Sequence, residues 1–113
     1  MVDAATTEPI VEISTTFGRR EAADACAERL VERRLAACVQ IDGPVRSTYR
    51  WHGVVETAEE WRCVCKTTAD RRAECLVAIA GLHDYEIPQL IVTDVAASAA
   101  YAAWVRESVA PPR

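Results

Sequence analysis

The densest chemistry in this chain lies in one short stretch, Leu82-His-Asp-Tyr-Glu-Ile-Pro88. It places an imidazole, two carboxylates and a phenol side by side, at His83, Asp84, Tyr85 and Glu86, between a helical pattern and a strand pattern. Binding groups concentrate in loops held by a rigid scaffold. A helix-capping His⁺ followed by a turn explains His83 equally well, and the sequence leaves both readings open. Cys63 and Cys65 form a second constellation, two apart on a strand and on one face with Trp61. Two thiolates on one face suit a soft cation such as Cu(I) or Zn(II). A central strand favours them as core residues instead, and Cys26 and Cys75, on or beside apolar helical faces, take the same reading. Glu59 and Glu60 point to opposite faces of an extended segment and are expected in solvent.

Nucleophilic catalysis needs a Ser, Cys or Thr beside a base and an orienting group. The 2 histidines, His52 in a turn and His83 after a helix, provide no such set, and the 4 glycines form neither a phosphate loop nor a nucleophile elbow. No catalytic residue is assigned, and the chain is read as a non-enzyme.

The elements that position these residues follow from periodicity. A β-rich run over 10–16 reads as a strand. Ala23, Cys26, Ala27, Leu30 and Val31 then recur at helical spacing. The apolar run over 35–41 is expected to be a strand covered on both faces. Asp42-Gly-Pro44 bends it without ending it, and alternation resumes at Val45, Ser47, Tyr49 and Trp51. His52-Gly53 is a tight hairpin turn, and a third strand returns over 54–67. A second helix over 69–82 carries Ala73, Leu76, Val77 and Ala80 at helical spacing. A fourth strand covers 90–95. Ser98 caps a last helix that presents Tyr101, Trp104, Val105 and Ser108 on one face.

The order β-α-β-β-α-β-α is an α+β architecture, the ferredoxin-like split βαβ pattern with an extra C-terminal helix. One domain over 10–110 is expected, after a disordered lead-in over 1–9. A second strand running from about residue 37 to 51 is nearly three times the usual ~5–6 residues. Such a hairpin projects from a small domain and exposes the rings of Tyr49, Trp51 and Trp61. Self-association through this arm is favoured over a strand that breaks at Gly43-Pro44 and folds back.

Composition narrows the partners. The 113 residues carry a net charge of −4, and the 13 basic residues are scattered or paired, so no nucleic-acid face is expected. No apolar run reaches the ~18 residues of a membrane span, and the N-terminus lacks the pattern of a signal peptide. The 5 cysteines, with no Cys-x-x-Cys pair, suit reduced thiols in the cytoplasm.

Five segments in register carry a resemblance. They are Arg34-Leu-Ala-Ala-Cys-Val-Gln40, Ser47-Thr-Tyr-Arg-Trp-His-Gly53, Cys65-Lys-Thr67, Leu82-His-Asp-Tyr-Glu-Ile-Pro88 and Tyr101-Ala-Ala-Trp104. Together they resemble the CutA divalent-cation-tolerance family over nearly the whole chain. The resemblance implies a ferredoxin-like protomer in a PII-like homotrimer whose long hairpins pair between subunits. It also implies a response to metal ions, with copper or another divalent cation, or a small ligand, bound at subunit clefts and no cofactor required. By position, His83 and Cys38 match the metal-ligand candidates, and Lys66, Tyr85 and Glu86 the cleft lining. Thr15 stands where some copper-binding members have Cys, and Leu82 where they have a second His. Asp84 and Gln89 also depart, from a usual Pro and a common Glu. An alternative reading is a PII-like regulatory trimer that docks another protein, with no direct metal role.

Overall fold

Thr7–Phe17 (β1) forms the middle of the structure, a computed structural model that describes residues 3–112. Arg20–Glu32 (α1) follows, then Cys38–Trp51 (β2), Val54–Thr67 (β3), Arg72–Leu82 (α2), Ile91–Ser98 (β4) and Ala99–Val109 (α3). The strands lie in the order β2-β3-β1-β4, and every neighbouring pair is antiparallel. This is the α+β, ferredoxin-like arrangement the pattern implied, with α3 added at the C-terminus.

Strand parity divides the sheet into two faces. Val11, Ile13 and Phe17 of β1 and Cys63 and Cys65 of β3 face α1 and α2, whose Ala23, Cys26, Leu30, Cys75, Ala78 and Ile79 complete the main core. On the other face α3 covers one end, where Ala102, Val105 and Val109 pack on Ile10 and Ala37. The rest of that face is open and carries Glu12, Ser14, Thr16, Glu60, Arg62 and Lys66.

α1 ends in a backbone lock. Arg34 takes φ 57°, Leu35 N–H reaches the Leu30 carbonyl at 2.9 Å, and Arg34 N–H reaches that of Val31 at 3.1 Å. These are the two bonds of a Schellman motif, and the buried Leu30 and Leu35 supply its apolar contact. At the hairpin tip His52 (φ 48°) and Gly53 (φ 79°) both lie in the left-handed region, as a two-residue type I′ turn requires. β2 and β3 each run 14 residues, and their register shifts between Asp42 and Val45, at a cis Gly43-Pro44 peptide. The strand therefore bends there and continues.

Several expectations need correction. Of the disordered lead-in expected over 1–9, residues 7–9 are strand, because Thr7, Glu8 and Pro9 pair with Ser98, Ala97 and Ala96 of β4; Met1 and Val2 lie outside the described residues. The run over 35–41 is not all strand, nor covered on both faces. Leu35, Ala36 and Ala37 are a buried connection, and in β2 Val39 and Ile41 pack on the main core while Gln40 is exposed on the other face. α2 buries Cys75, Ala78 and Ile79 and leaves Val77 73% exposed. Its sequence is apolar nearly all round, so spacing alone does not choose a face. On α3 the buried stripe is Ala102, Val105 and Val109, and Trp104 is exposed. Trp61 does not share the face of Tyr49 and Trp51. By parity it turns to the helix side and packs against the main core.

Candidate functional site

The loop after α2 folds back against the ends of β1 and β3. His83 stacks on Phe17, centroids 4.2 Å apart and planes at 10°. Its side chain is fully buried. The Nδ1 atom accepts the Tyr85 backbone N–H at 3.2 Å, so Nε2 carries the proton and donates it to the Thr16 carbonyl at 2.7 Å. The Asp84 carboxylate stays 3.7 Å from Nδ1.

Tyr85 reaches across the sheet end. Its hydroxyl donates to Glu60 Oε2 at 2.8 Å. Gly18 leaves the space, since a Cβ there would stand 2.9 Å from the Tyr85 hydroxyl. Burial, together with the Glu60 carboxylate, pushes the Tyr85 phenol well above the ordinary tyrosine range. Tyr85 thus remains a proton donor to Glu60 across the physiological range. Glu60 is buried, contrary to the expectation that it is solvated. Its parity puts it on the open face beneath the loop, and the polar segment around it hides this from a sequence reading. Gly18 was also missed, because a glycine ending a strand reads only as a breaker.

A second cluster occupies the other end of the open face. Lys66 Nζ lies 3.2 Å from Glu12 Oε2 and donates to Gln40 Oε1 at 3.1 Å. Cys38 is opposite Lys66 in the ladder. Burial, with Cys38 beside it, raises the Tyr101 phenol. Lys66 pairs with Glu12 of β1, whereas His83 holds Thr16, four residues on. That separation is about 14 Å along the strand.

One chain therefore brings His83 to Tyr85, lines one groove with Tyr85 and Glu86, and sets Cys38 opposite Lys66, but does not join the two groups. Nor does His83 as placed fit a copper ion. Both ring nitrogens are engaged, Leu82 is beside it where a second imidazole would stand, and the Thr15 side chain is fully buried. Among the described residues no group of three or more His, Cys, Asp or Glu side chains is placed to hold a metal ion. The four thiols Cys26, Cys63, Cys65 and Cys75 are free and buried, as core packing predicts.

Comparison with known proteins adds an independent line. The family pattern described as CutA1 divalent ion tolerance protein matches residues 11–108. The divalent-cation tolerance protein CutA of Thermus thermophilus is 35% identical over 94 residues, 82% of this chain and 91% of that one. The solved structure of CutA from Synechococcus elongatus superposes with a TM-score of 0.87 at 30% identity, covering 94% of this chain and 97% of that one. That of CutA from Archaeoglobus fulgidus, named there as a periplasmic divalent cation tolerance protein, gives 0.85 at 30%, covering 91% and 100%.

Proposed function

Because the chain belongs to the CutA1 divalent ion tolerance family, we propose that it is a homotrimeric tolerance protein that responds to divalent metal ions without catalysing a reaction. Its ligand, copper or another divalent cation or a small molecule, is taken up in clefts between copies. The observation that carries this reading is the separation of the two clusters. Cys38 and Lys66 stand at one end of an open sheet face, and His83, Tyr85 and Glu86 at the other. A cleft drawing on both needs two chains. The long hairpin with its open β2 edge supplies the means of assembly. Five free thiols favour the cytoplasm, and among the described residues no helix is long and apolar enough to cross a membrane.

Sedimentation equilibrium is expected to return a three-chain mass at micromolar concentration. Calorimetry of that assembly with Cu(II), Cu(I) and Zn(II) is expected to show a modest site that weakens in Cys38→Ala. A single-chain mass overturns the assembly, and no saturable heat overturns the metal part.

A second reading has its own support. The double engagement of His83 favours a regulatory trimer that docks another protein and binds no metal itself. Recovery of one partner in a pull-down, unchanged by a chelator, supports this reading over direct metal binding.

A further inference from the structure

Four of the 5 cysteines meet in the main core. Cys63 and Cys65 project from β3 toward the helices, Cys26 comes from α1 and Cys75 from α2. All four are free and at most 2% exposed. Their partners differ. Cys63 Sγ donates to the Ala23 carbonyl at 3.8 Å. Cys65 and Cys75 turn to each other and share an S–H···S hydrogen bond, which raises the Cys65 thiol and lowers that of Cys75.

A second observation comes from Thr15. Its buried hydroxyl has no hydrogen-bond partner, and it faces the helices from β1. Cys65 is its diagonal neighbour across the β1–β3 ladder. Neutral thiols are weak acceptors for such a hydroxyl, whereas a metal-bound thiolate is a strong one.

We propose that Cys65 and Cys75 clasp a soft monovalent cation of the Cu(I) type, two-coordinate between their sulfurs inside the core. Sulfur ligands select soft ions. Among the described residues no three His, Cys, Asp or Glu side chains converge. The four ligands of a structural Zn(II) and the oxygen shell of Mg(II) are therefore absent, and a monovalent d¹⁰ ion needs only two sulfurs. Charge agrees. One S–H bond breaks, two sulfur–metal bonds form and the proton leaves to solvent, so the core stays neutral. A divalent ion entering the same way would leave a buried positive charge. Cys75 lies in the first turn of α2, and fraying of that turn opens the way in. The site shares no residue with the cleft ligands Cys38 and His83, so its failure leaves the tolerance reading untouched.

The test is anaerobic titration of the reduced Cys38→Ala chain with Cu(I), supplied as its acetonitrile complex. Ultraviolet thiolate-to-copper absorption and X-ray absorption at copper are the readouts. Cys38→Ala removes the one thiol outside this core and weakens the cleft site, so the uptake measured is that of the core. One Cu(I) per chain with two sulfur neighbours is expected, held against equimolar Zn(II). Adding Cys75→Ala is expected to weaken it by at least about tenfold, and adding Cys63→Ala to leave it unchanged. Should the Cys75 variant fail to fold, Cys65→Ala breaks the same bridge from the strand side. Absence of uptake overturns the proposal. So does a third sulfur neighbour, displacement by Zn(II), or affinity that survives the loss of Cys75 or Cys65.

Discussion

The Thr15 hydroxyl is, among the described residues, the one buried side-chain polar atom without a hydrogen bond. It faces the helices from β1, opposite Cys63, where an apolar or thiol side chain would leave nothing unsatisfied. Thr15→Val keeps the shape and removes the orphan group, so it is expected to raise stability by about 1 kcal/mol. Urea denaturation checks this, and an unchanged or lowered midpoint would refute it. The neighbouring thiols give a pH dependence. Burial, with Cys75 close by, pushes Cys26 up to about 11. Burial, with Cys26 close by, pushes Cys63 up to about 12. In the unfolded chain a thiol ionises near ~8.5. Between that value and the folded ones the unfolded state binds fewer protons, so stability falls as pH rises, by about 1.4 kcal/mol per pH unit for each thiol. Denaturation midpoints from pH 8 to 10.5 are expected to fall steadily, and less steeply in a Cys26→Ala, Cys63→Ala variant.

The end of α1 carries the next prediction, at the scale of elements. Arg34 holds a left-handed conformation that costs a side-chain-bearing residue about 1–2 kcal/mol, and glycine adopts it freely. Among the described residues its one side-chain bond is a 3.5 Å contact with the Ala110 carbonyl at the surface. Arg34→Gly is therefore expected to stabilise the protein by about 1 kcal/mol; a loss in thermal midpoint would show that the Ala110 contact matters more. The elements differ in how legible they were. Strand alternation and the His52-Gly53 turn announced the hairpin, and Asp42-Gly-Pro44 announced its bend. Gly43 is needed there because a Cβ would stand 2.6 Å from Trp61 Cδ1. The buried face of α2 was not legible, since nearly every position in it is apolar. The motifs located the loop at His83 and Tyr85. They did not reveal Glu60, whose burial comes from β3 parity and the returning loop, a long-range contact that local spacing does not encode.

At the scale of the molecule, the chain is too extended for its length. Its radius of gyration is 15.3 Å and its long axis 51 Å, whereas a compact chain of this length has a radius near ~13 Å. It exposes 7179 Å², against about 6100 Å² for a compact chain. The excess, about 1000 Å², is close to what one partner contributes to a stable interface. The arm supplies much of it: β2 leaves one backbone edge unpaired along 14 residues, and Val54 and Val55 at the tip are 58% and 60% exposed. An unpaired edge of that length persists in a folded protein when something covers it. If the arm is the contact, two positive charges at its tip should separate the copies without touching either core cluster, since Val54 and Val55 belong to neither. Val54→Lys with Val55→Lys is expected to lower the sedimenting mass from an assembly to one chain while the far-ultraviolet circular dichroism is retained. An unchanged mass would mean that copies meet through the open sheet face instead of the arm, and a collapsed spectrum that the hairpin folds only when paired.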